Sequence, residues 1–297
     1  MSAVAEMHPI IVGLTLNYRD AGRTKRCVQS LLDDGAAHVL VWDNSADCGE
    51  SATALRDDWV GESRVSIEDS SVNLGFAAGA NRGIDWIRAH HPGALIFLIN
   101  NDATVLPGAL HTLHGTLLAR PQAILAYPDI DQGGRLLGPI YYQRWFALIT
   151  LAPLPGSFPY ASGCAIIFSP ERWPTRLFDE DFFMYGEDAF LGWTHRNTGR
   201  LAYTPGVWVR HEGSASSRMA SRFYETCLVA SHLVIARKIA RSRLDFIALI
   251  LGRALSLGAR AVLRAARYRS FVPLGALREG WRLARPALPT DSTPRLH

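Results

Sequence analysis

Two adjacent acids, Glu187 and Asp188, follow an aromatic-rich segment at 182–185. They stand where a helical pattern begins. Neighbouring side chains at a helix start point in different directions, so two carboxylates there can divide proton transfer and positioning between them. The helix dipole alone also favours acids in a first turn. The segment therefore predicts either a general base with its helper or a simple helix start.

A second set of polar residues follows the apolar run Ala94–Ile99. Asn100, Asn101 and Asp102 offer oxygen ligands of the kind that hold a divalent cation, and Asp102 is the best candidate for direct contact. His211 follows a later apolar run, and a neutral imidazole can also bind a metal. A turn after a strand, and a buried histidine bonded to a carbonyl, are the alternatives.

Polar side chains also stand at the ends of the first two apolar runs. Thr15, Asn17 and Arg19 lie at the end of the first run, and Asp43 follows the second, His38–Trp42. An aspartate there can accept a hydrogen bond from the N3–H of a pyrimidine. An aspartate in a loop is also common without any function, so both interpretations of Asp43 stay open.

The segment Asn73–Gly83 carries glycines at 75, 79 and 83. This spacing would let the start of a helix lie close to a phosphate or ribose. We expect Asn73, Gly75 and Asn81 to belong to the same pocket. The segment is not the GxGxxG of a dinucleotide site and does not follow the first strand, which disfavours an NAD-dependent oxidoreductase.

Apolar β-rich runs alternate with helical patterns along the first part of the chain. This alternation predicts an α/β fold with a doubly wound, mostly parallel sheet. Ligands of such sheets bind beyond the carboxyl ends of the strands. Asn17, Asp43 and the segment 100–102 all fall at such ends. We therefore expect them to meet at one edge of the sheet.

Charge is distributed unevenly along the chain. The net charge is +4, but the stretch 236–285 holds twelve Lys and Arg against Asp245 and Glu279, so the remainder is acidic. A basic tail predicts a polyanionic partner, either a membrane surface or a nucleic acid. Apolar residues at helical spacing between its arginines favour an interfacial helix. The apolar residues are Leu244, Ile247, Leu251, Leu255, Ala259 and Val262, and the arginines are Arg253, Arg260, Arg264 and Arg267.

Two further features of the sequence indicate where in the cell the protein is located. The run Phe246–Leu263 is interrupted by arginines, and its uninterrupted apolar part is far shorter than the ~20 residues of a membrane span. We expect it to lie on a bilayer, with ordinary packing onto the rest of the chain as the alternative. Four scattered cysteines indicate reduced thiols in a cytosolic protein, and no secretory signal is evident.

Four sequence blocks occur in an informative order, and each lies where an α/β sheet would place a loop. They are Val41-Trp42-Asp43-Asn44-Ser45, the segment 73–81, Asn100-Asn101-Asp102 and the segment 182–188. Together they resemble the family 2 glycosyltransferases with the GT-A fold, over roughly positions 8 to 215. Within that family the chain is most similar to the rhamnosyltransferase-like branch that builds bacterial surface polysaccharides.

The resemblance implies an inverting transferase that uses Mg²⁺ or Mn²⁺. It assigns Asp188 as the general base and Glu187 as a positioning residue. It brings Asp102 and His211 to the metal or the diphosphate, and it assigns the loop of Asp43 to the nucleotide base. The segment 161–165, rich in small residues, resembles the stretch beneath the acceptor site.

The resemblance also implies partners, location and domain limits. The donor would be dTDP-L-rhamnose or a UDP-hexose and the acceptor a lipid-diphosphate-linked saccharide, with no nucleic acid bound. We expect a GT-A domain over 1–215, with a donor half at about 8–105 and an acceptor half at about 106–215. The helical basic region 216–297 would touch the inner face of the cytoplasmic membrane. The family usually has an acid where this chain has Asn100, a weaker ligand, and an inactive GT-A scaffold is the alternative.

Overall fold

The computed structural model describes residues 10–173, 176–213 and 221–284. The first part alternates strands and helices as the sequence predicts. In order these elements are β1 (Ile11–Asn17), α1 (Ala21–Asp33), β2 (His38–Asp43), α2 (Glu50–Asp58), β3 (Val65–Asp69), α3 (Gly75–His90), β4 (Leu95–Asn100), β5 (Ala103–Val105) and α4 (Ala109–Ala119).

The middle of the chain is mostly short strands, followed by a C-terminal group of helices. Among the described residues, the strands and the α-helix of this part are β6 (Leu125–Gln132), β7 (Arg135–Leu137), β8 (Ile140–Gln143), β9 (Leu148–Thr150), β10 (Ser157–Tyr160), β11 (Ala165–Phe168), α5 (Glu187–His195) and β12 (Leu201–His211), with a short 3₁₀ helix at Pro170–Arg172. The last three helices are α6 (Arg222–Ile239), α7 (Arg243–Tyr268) and α8 (Val272–Leu283).

In the described part of the chain, nine strands form one sheet. Its order is β3-β2-β1-β4-β11-β6-β12-β5, with β7 paired to β6 beside this path. Strands β1 to β4 pair in parallel, β12 pairs in parallel with β6, and β11 and β5 run antiparallel to their neighbours. The predicted doubly wound, mostly parallel sheet is thus confirmed. A small antiparallel sheet of β10, β8 and β9 lies apart from it.

Helices cover both faces of the main sheet. Successive residues of β4 alternate between the two sides, so that Ile96 and Leu98 join one apolar cluster while Phe97 and Ile99 join the other. Helices α1 and α4 pack on the second cluster, and α3, α5 and α6 pack on the first. A strand buried on both faces must be apolar throughout, which explains why β4 reads as a continuous apolar run.

The glycine-bearing segment 73–83 is helical from Gly75 onward. Within α3, Gly79 and Gly83 face β1, and a Cβ atom at Gly83 would lie 2.5 Å from the side chain of Leu14. These two glycines therefore let α3 approach the sheet closely, a packing role rather than the phosphate contact expected from their spacing.

The three C-terminal helices differ in their environment. Helix α6 is buried along most of its length and its His232 is hydrogen-bonded to Tyr142 of β8 at 2.9 Å. Helix α7 has one buried edge, formed by Leu249, Arg253, Leu257 and Ala261. Among the described residues, α7 is the one helix that is long and apolar enough to cross a membrane by length and composition. The mean hydropathy of its most apolar stretch of 18 residues is 1.8.

Candidate active site

A cavity of about 580 Å³ opens at the carboxyl ends of β1, β2 and β4, the edge that the sequence indicated. This size suits a drug-sized or nucleotide-sized ligand. Residues from both halves of the chain line it. They are Leu16, Asn17, Tyr18, Asn44, Asn73, Gly75, Phe76, Asn100, Asn101, Asp102, Ser162, Gly163, Cys164, Met184, Tyr185, Glu187, Asp188, His211, Ser221 and Phe223.

Asp102 and His211 form a pair on one wall of this cavity. The antiparallel pairing of β12 with β5 sets His211 opposite Ala103, and the two side chains meet with Nε2 3.0 Å from Oδ1. Burial lowers the pKa of His211, but its hydrogen bonds to Asp102 and Cys164 outweigh that effect and raise the pKa to about 10. A metal at this pair would therefore have to displace a proton from the imidazole.

The residues at this wall fit a divalent cation that completes its coordination on a ligand. In the described ranges, no group of three or more His, Cys, Asp or Glu side chains is gathered for a metal. One carboxylate and one imidazole are available, and Asn100 and Asn101 line the same cavity. Mg²⁺ is commonly held by one or two carboxylates plus phosphate oxygens, and a neutral imidazole is a further ligand that a divalent metal can use. The site is thus suited to a metal that arrives with a diphosphate.

A buried network of hydrogen bonds supports the floor of the cavity. Asn101 donates to the hydroxyl of Thr24 at 3.0 Å, and Thr24 donates to Oδ1 of Asn17 at 2.7 Å. Asn17 in turn donates to Asp43 at 2.7 Å, and Ser45 donates to the same oxygen at 2.5 Å. The network therefore fixes the polar side chains at the carboxyl ends of β1, β2 and β4 relative to one another.

Asp43 lies beneath the cavity rather than in it. Its side chain is 1% exposed and does not line the cavity. The carboxylate of Asp43 therefore does not face the space in which a nucleotide base would be held. Parallel pairing sets Asp43 beside Asn17, and the carboxylate holds that amide in place at the floor of the cavity.

Three other expected pocket residues lie elsewhere. Thr15 is fully buried in the core, where it accepts a weak hydrogen bond from Cys27. Arg19 is exposed, and its guanidinium donates to the carbonyl of Ser45. Asn81 is held within α3, where its amide donates 2.8 Å to the carbonyl of Phe178 and accepts from the same residue's N–H. It anchors the segment before α5 instead of contacting a ligand.

The start of α3 joins the two sides of the cavity. Asn44 donates to the carbonyl of Gly75 and accepts from Leu74, and the N–H of Phe76 donates to the carbonyl of Phe183 at 2.8 Å. Gly75 has φ of +77°, and a Cβ atom there would lie 2.2 Å from that same carbonyl. Only glycine allows this approach, so Gly75 ties the loop after β2 to the segment that precedes the paired acids.

Glu187 and Asp188 begin α5 on the opposite wall. Asp188 accepts hydrogen bonds from the backbone N–H groups of Gly163, at 3.1 Å, and Ala189, at 2.7 Å. The small residue at 163 thus brings its backbone onto the carboxylate. Glu187 is buried and lines the cavity, and its Oε2 has no hydrogen-bond partner in the described part of the chain.

The surroundings of Glu187 and Asp188 shift the pKa values of the two carboxyl groups differently. Burial, and then the charge of Asp188, raise the pKa of Glu187 to about 8. Burial also raises the pKa of Asp188, but backbone N–H groups oppose the rise. Near neutral pH the pair therefore carries its negative charge on Asp188 and its proton on Glu187.

Several lining residues were not expected from the sequence. Tyr18 is 37% exposed at the rim, and Phe223 of α6 is 43% exposed and packs edge-on against Phe183. Leu16, Asn44 and Ser221 also line the cavity. Asn44 stands next to Asp43 in the sequence, and that adjacency was the signal that could have found it. No sequence signal pointed to Phe223, because it lies in α6, far along the chain from the other lining residues.

Comparisons with known proteins bear on the fold. No family model matches the sequence, and no curated protein matches it. The crystal structure of S. aureus TarS 1–349 matches with a TM-score of 0.52 and 10% identity, over 84% of this chain and 70% of that one. The same TarS segment in complex with UDP matches with a TM-score of 0.51 and 11% identity, over the same shares.

A second solved protein, GalNAc-T7 crystallised with UDP, GalNAc and Mn²⁺, matches with a TM-score of 0.54 and 13% identity. The match covers 80% of this chain and 52% of that one, so the chain spans about half the length of GalNAc-T7. At these identities the likeness defines the fold. The chain has the α/β fold of GT-A-type glycosyltransferases, with a helical region at its C-terminus.

Proposed function

We propose that the protein is a nucleotide-sugar-dependent glycosyltransferase that moves one sugar, with inversion, onto an acceptor hydroxyl. The observation that carries this proposal is one cavity lined both by the Asp102–His211 pair and by Glu187 and Asp188. A departing diphosphate gathers negative charge, while an attacking hydroxyl must lose a proton. The wall with Asp102 and His211 would stabilise the charge of the diphosphate, and the wall with Glu187 and Asp188 would accept the proton of the hydroxyl.

The donor half of the cavity would hold a nucleoside diphosphate sugar. Asp102 and His211 would hold Mg²⁺ or Mn²⁺, which offsets the charge of the diphosphate. The polar floor around Asn17 and the exposed ring of Tyr18 suit a pyrimidine and its ribose. Solved proteins of this fold with UDP, and with UDP and Mn²⁺, support a UDP-hexose, and dTDP-L-rhamnose is the alternative donor.

The acceptor half would activate the hydroxyl. Asp188 carries the negative charge of the pair, and its raised pKa makes it a stronger base than an exposed aspartate. As the hydroxyl oxygen bonds to the anomeric carbon, the bond to the diphosphate breaks and the proton passes to Asp188. Glu187 would donate or accept a hydrogen bond through its unpartnered Oε2 and so position the acceptor.

The cellular setting follows from the sequence resemblance. We place the enzyme in the rhamnosyltransferase-like branch, with a lipid-diphosphate-linked saccharide of a bacterial surface polysaccharide as acceptor. Such an acceptor lies in a bilayer, so we propose a cytoplasmic enzyme that touches the inner face of the membrane through its C-terminal helices. The apolar helix α7 is consistent with that contact.

A thermal-shift screen of nucleotide sugars, with and without Mn²⁺, tests the proposal. A ligand at 100 times its Kd stabilises a protein by about 2.7 kcal/mol, which corresponds to roughly 5–10 °C in a chain of this size. We expect such a shift with a dTDP-sugar or UDP-sugar in the presence of Mn²⁺ and not with a purine-nucleotide sugar. The proposal fails if no nucleotide sugar shifts the transition, or if Asp102→Ala keeps the full Mn²⁺-dependent shift.

A further inference from the structure

Helix α7 presents a continuous apolar face to solvent. Every exposed residue from 244 to 266 is apolar, including Leu244 at 80%, Leu251 at 65%, Leu255 at 68% and Leu263 at 71% exposure. At about 1.5 Å per residue this face is roughly 33 Å long. A soluble chain rarely exposes a contiguous apolar surface of this length without a partner for it.

Three arginines of α7, Arg253, Arg260 and Arg264, point the other way, into the protein. Arg253 is fully buried and donates to the carbonyls of His232 and Arg144, each at 2.8 Å. Arg260 and Arg264 both pair with Glu225, whose side chain is 1% exposed. The sequence-based expectation that these arginines would face a polyanionic partner is therefore wrong for these three. They attach α7 to the rest of the fold.

This attachment fixes how α7 can meet a bilayer. To cross the membrane the helix would have to leave α6, which would strip Arg253 of its carbonyl partners and leave Glu225 buried without a counter-charge. Each such loss is strongly unfavourable. The helix therefore has the length to span a bilayer but is held by Arg253, Arg260 and Arg264, so that only its outward face is free. A helix held in this way lies parallel to a membrane surface.

The β8–β9 turn, taken here as residues 144–149 and so including the first two residues of β9, extends the same surface. Its apolar residues Phe146, Leu148 and Ile149 are 41%, 44% and 53% exposed. The turn lies directly against the middle of α7, because a Cβ atom at Gly252 would lie 2.4 Å from the carbonyl of Trp145. Arg253 also bonds the backbone of the turn through the carbonyl of Arg144. The turn and the helix are thus joined at the centre of the helix.

We propose that the outward face of α7 and the β8–β9 turn form one apolar surface that inserts into a lipid bilayer, with α7 lying in the membrane plane. The charge around the surface favours lipid over protein as its occupant. No acid occurs between residues 246 and 278, and the exposed Arg243, Arg267 and Arg269 flank the apolar face at its two ends. These positions suit phosphate head groups. The proposal rests on the membrane contact in the proposed function and names its surface and driving force.

Flotation of the full chain with lipid vesicles tests this surface. Two kinds of vesicle are used, phosphatidylcholine alone and phosphatidylcholine with phosphatidylglycerol, each at 0.1 M and 1 M salt. Apolar insertion is not screened, so we expect the protein to float with both kinds and at both salt concentrations. Leu251→Gln with Leu255→Gln should lower the partition coefficient by about tenfold or more, and Leu148→Gln with Ile149→Gln should lower it severalfold.

A matched control replaces two exposed apolar residues on other elements. Val60, after α2, is 82% exposed and Leu118, in α4, is 60% exposed, so Val60→Gln with Leu118→Gln should float like the wild type. The proposal is overturned if the α7 variant floats like the wild type, if flotation requires anionic lipid and low salt, or if light scattering shows a dimer that the α7 variant dissociates and that does not float. Nucleotide-sugar binding is measured on the same samples. Flotation without nucleotide-sugar binding would contradict the glycosyltransferase proposal and would still support the membrane-inserting surface.

Discussion

Replacing Glu187 by glutamine should raise the free energy of unfolding relative to the wild type by an amount that increases as the pH rises. Glutamine has nearly the shape of a protonated glutamate but cannot ionise. In the wild type, burial and the charge of Asp188 raise the pKa of Glu187 from 4.5 to about 8. The folded protein therefore holds a proton that the unfolded chain has already released across this pH range.

The sign and size of the effect follow from proton linkage. Below pH 4.5 both states of the wild type keep the proton on Glu187, and its contribution to stability is fully present. As the pH rises to about 8, the folded state binds more protons than the unfolded state, so stability declines by at most about 1.4 kcal/mol per pH unit. The upper limit is about 5 kcal/mol, and relaxation around the buried charge should reduce it to on the order of 2–3 kcal/mol.

Urea unfolding at pH 5, 7 and 9 measures this difference. We expect the variant minus wild-type free energy of unfolding to increase from pH 5 to pH 9. A buried amide that lacks a partner would add an offset, but that offset would be the same at every pH. Glu171→Gln, at an exposed position, serves as the control and should show no such increase. Parallel pH profiles for the Glu187 variant and the wild type would refute the buried, protonated glutamate.

Three further predictions concern the same cavity. Asp188→Asn should lower turnover by roughly 10²–10⁴-fold with donor affinity largely unchanged, as measured by nucleoside diphosphate release; near-normal turnover would remove Asp188 as the base. Asp102→Ala and His211→Ala should each weaken Mn²⁺-dependent nucleotide binding by about tenfold or more in calorimetry, and unchanged Mn²⁺ dependence in both would exclude this metal site. Gly75→Ala, with its φ of +77°, should lower stability by about 2–4 kcal/mol in urea unfolding. Gly22→Ala, where a Cβ atom meets nothing within 4 Å, is its control, and equal stabilities would contradict the close approach at position 75.

Much of the main sheet was predictable because its strands are buried on both faces. Strand β4 is apolar at every position before its last residue, the polar Asn100. The short strands were harder to find. Strands β5 and β9 have three residues each, too few to display any periodicity, and they are defined by the partners with which they pair.

The site was predictable at the level of which loops meet, and less so at the level of which side chains point into the cavity. Asp43 was located at the correct strand end, but its carboxylate turns beneath the cavity toward Asn17. The contact of Asp102 with His211 depends on the pairing of β12 with β5, across 109 residues of sequence. Local sequence carries no information on that register.

In the basic tail, residues 236–285, the sequence predicted the apolar face but not the environment of the arginines. Its apolar stripe was recognisable from helical spacing, and the stripe is the exposed face of α7. The sequence did not show that Arg253, Arg260 and Arg264 face the interior. Their partners are carbonyl groups of other elements and the buried Glu225 of α6. A basic residue next to an apolar stripe can face a lipid phosphate or the interior, and only the packing of α7 on α6 distinguishes the two.

A crystal structure of the protein with Mn²⁺ and UDP or dTDP would test the central claim most directly. Anomalous scattering locates the metal independently of the surrounding density. The proposed function predicts an anomalous peak within coordination distance of Asp102 and His211, a diphosphate on that peak, and the nucleotide base near Asn17 and Tyr18. A metal bound elsewhere, or a cavity that stays free of nucleotide at saturating concentration, would contradict the assignment of this cavity as the donor site of a glycosyltransferase.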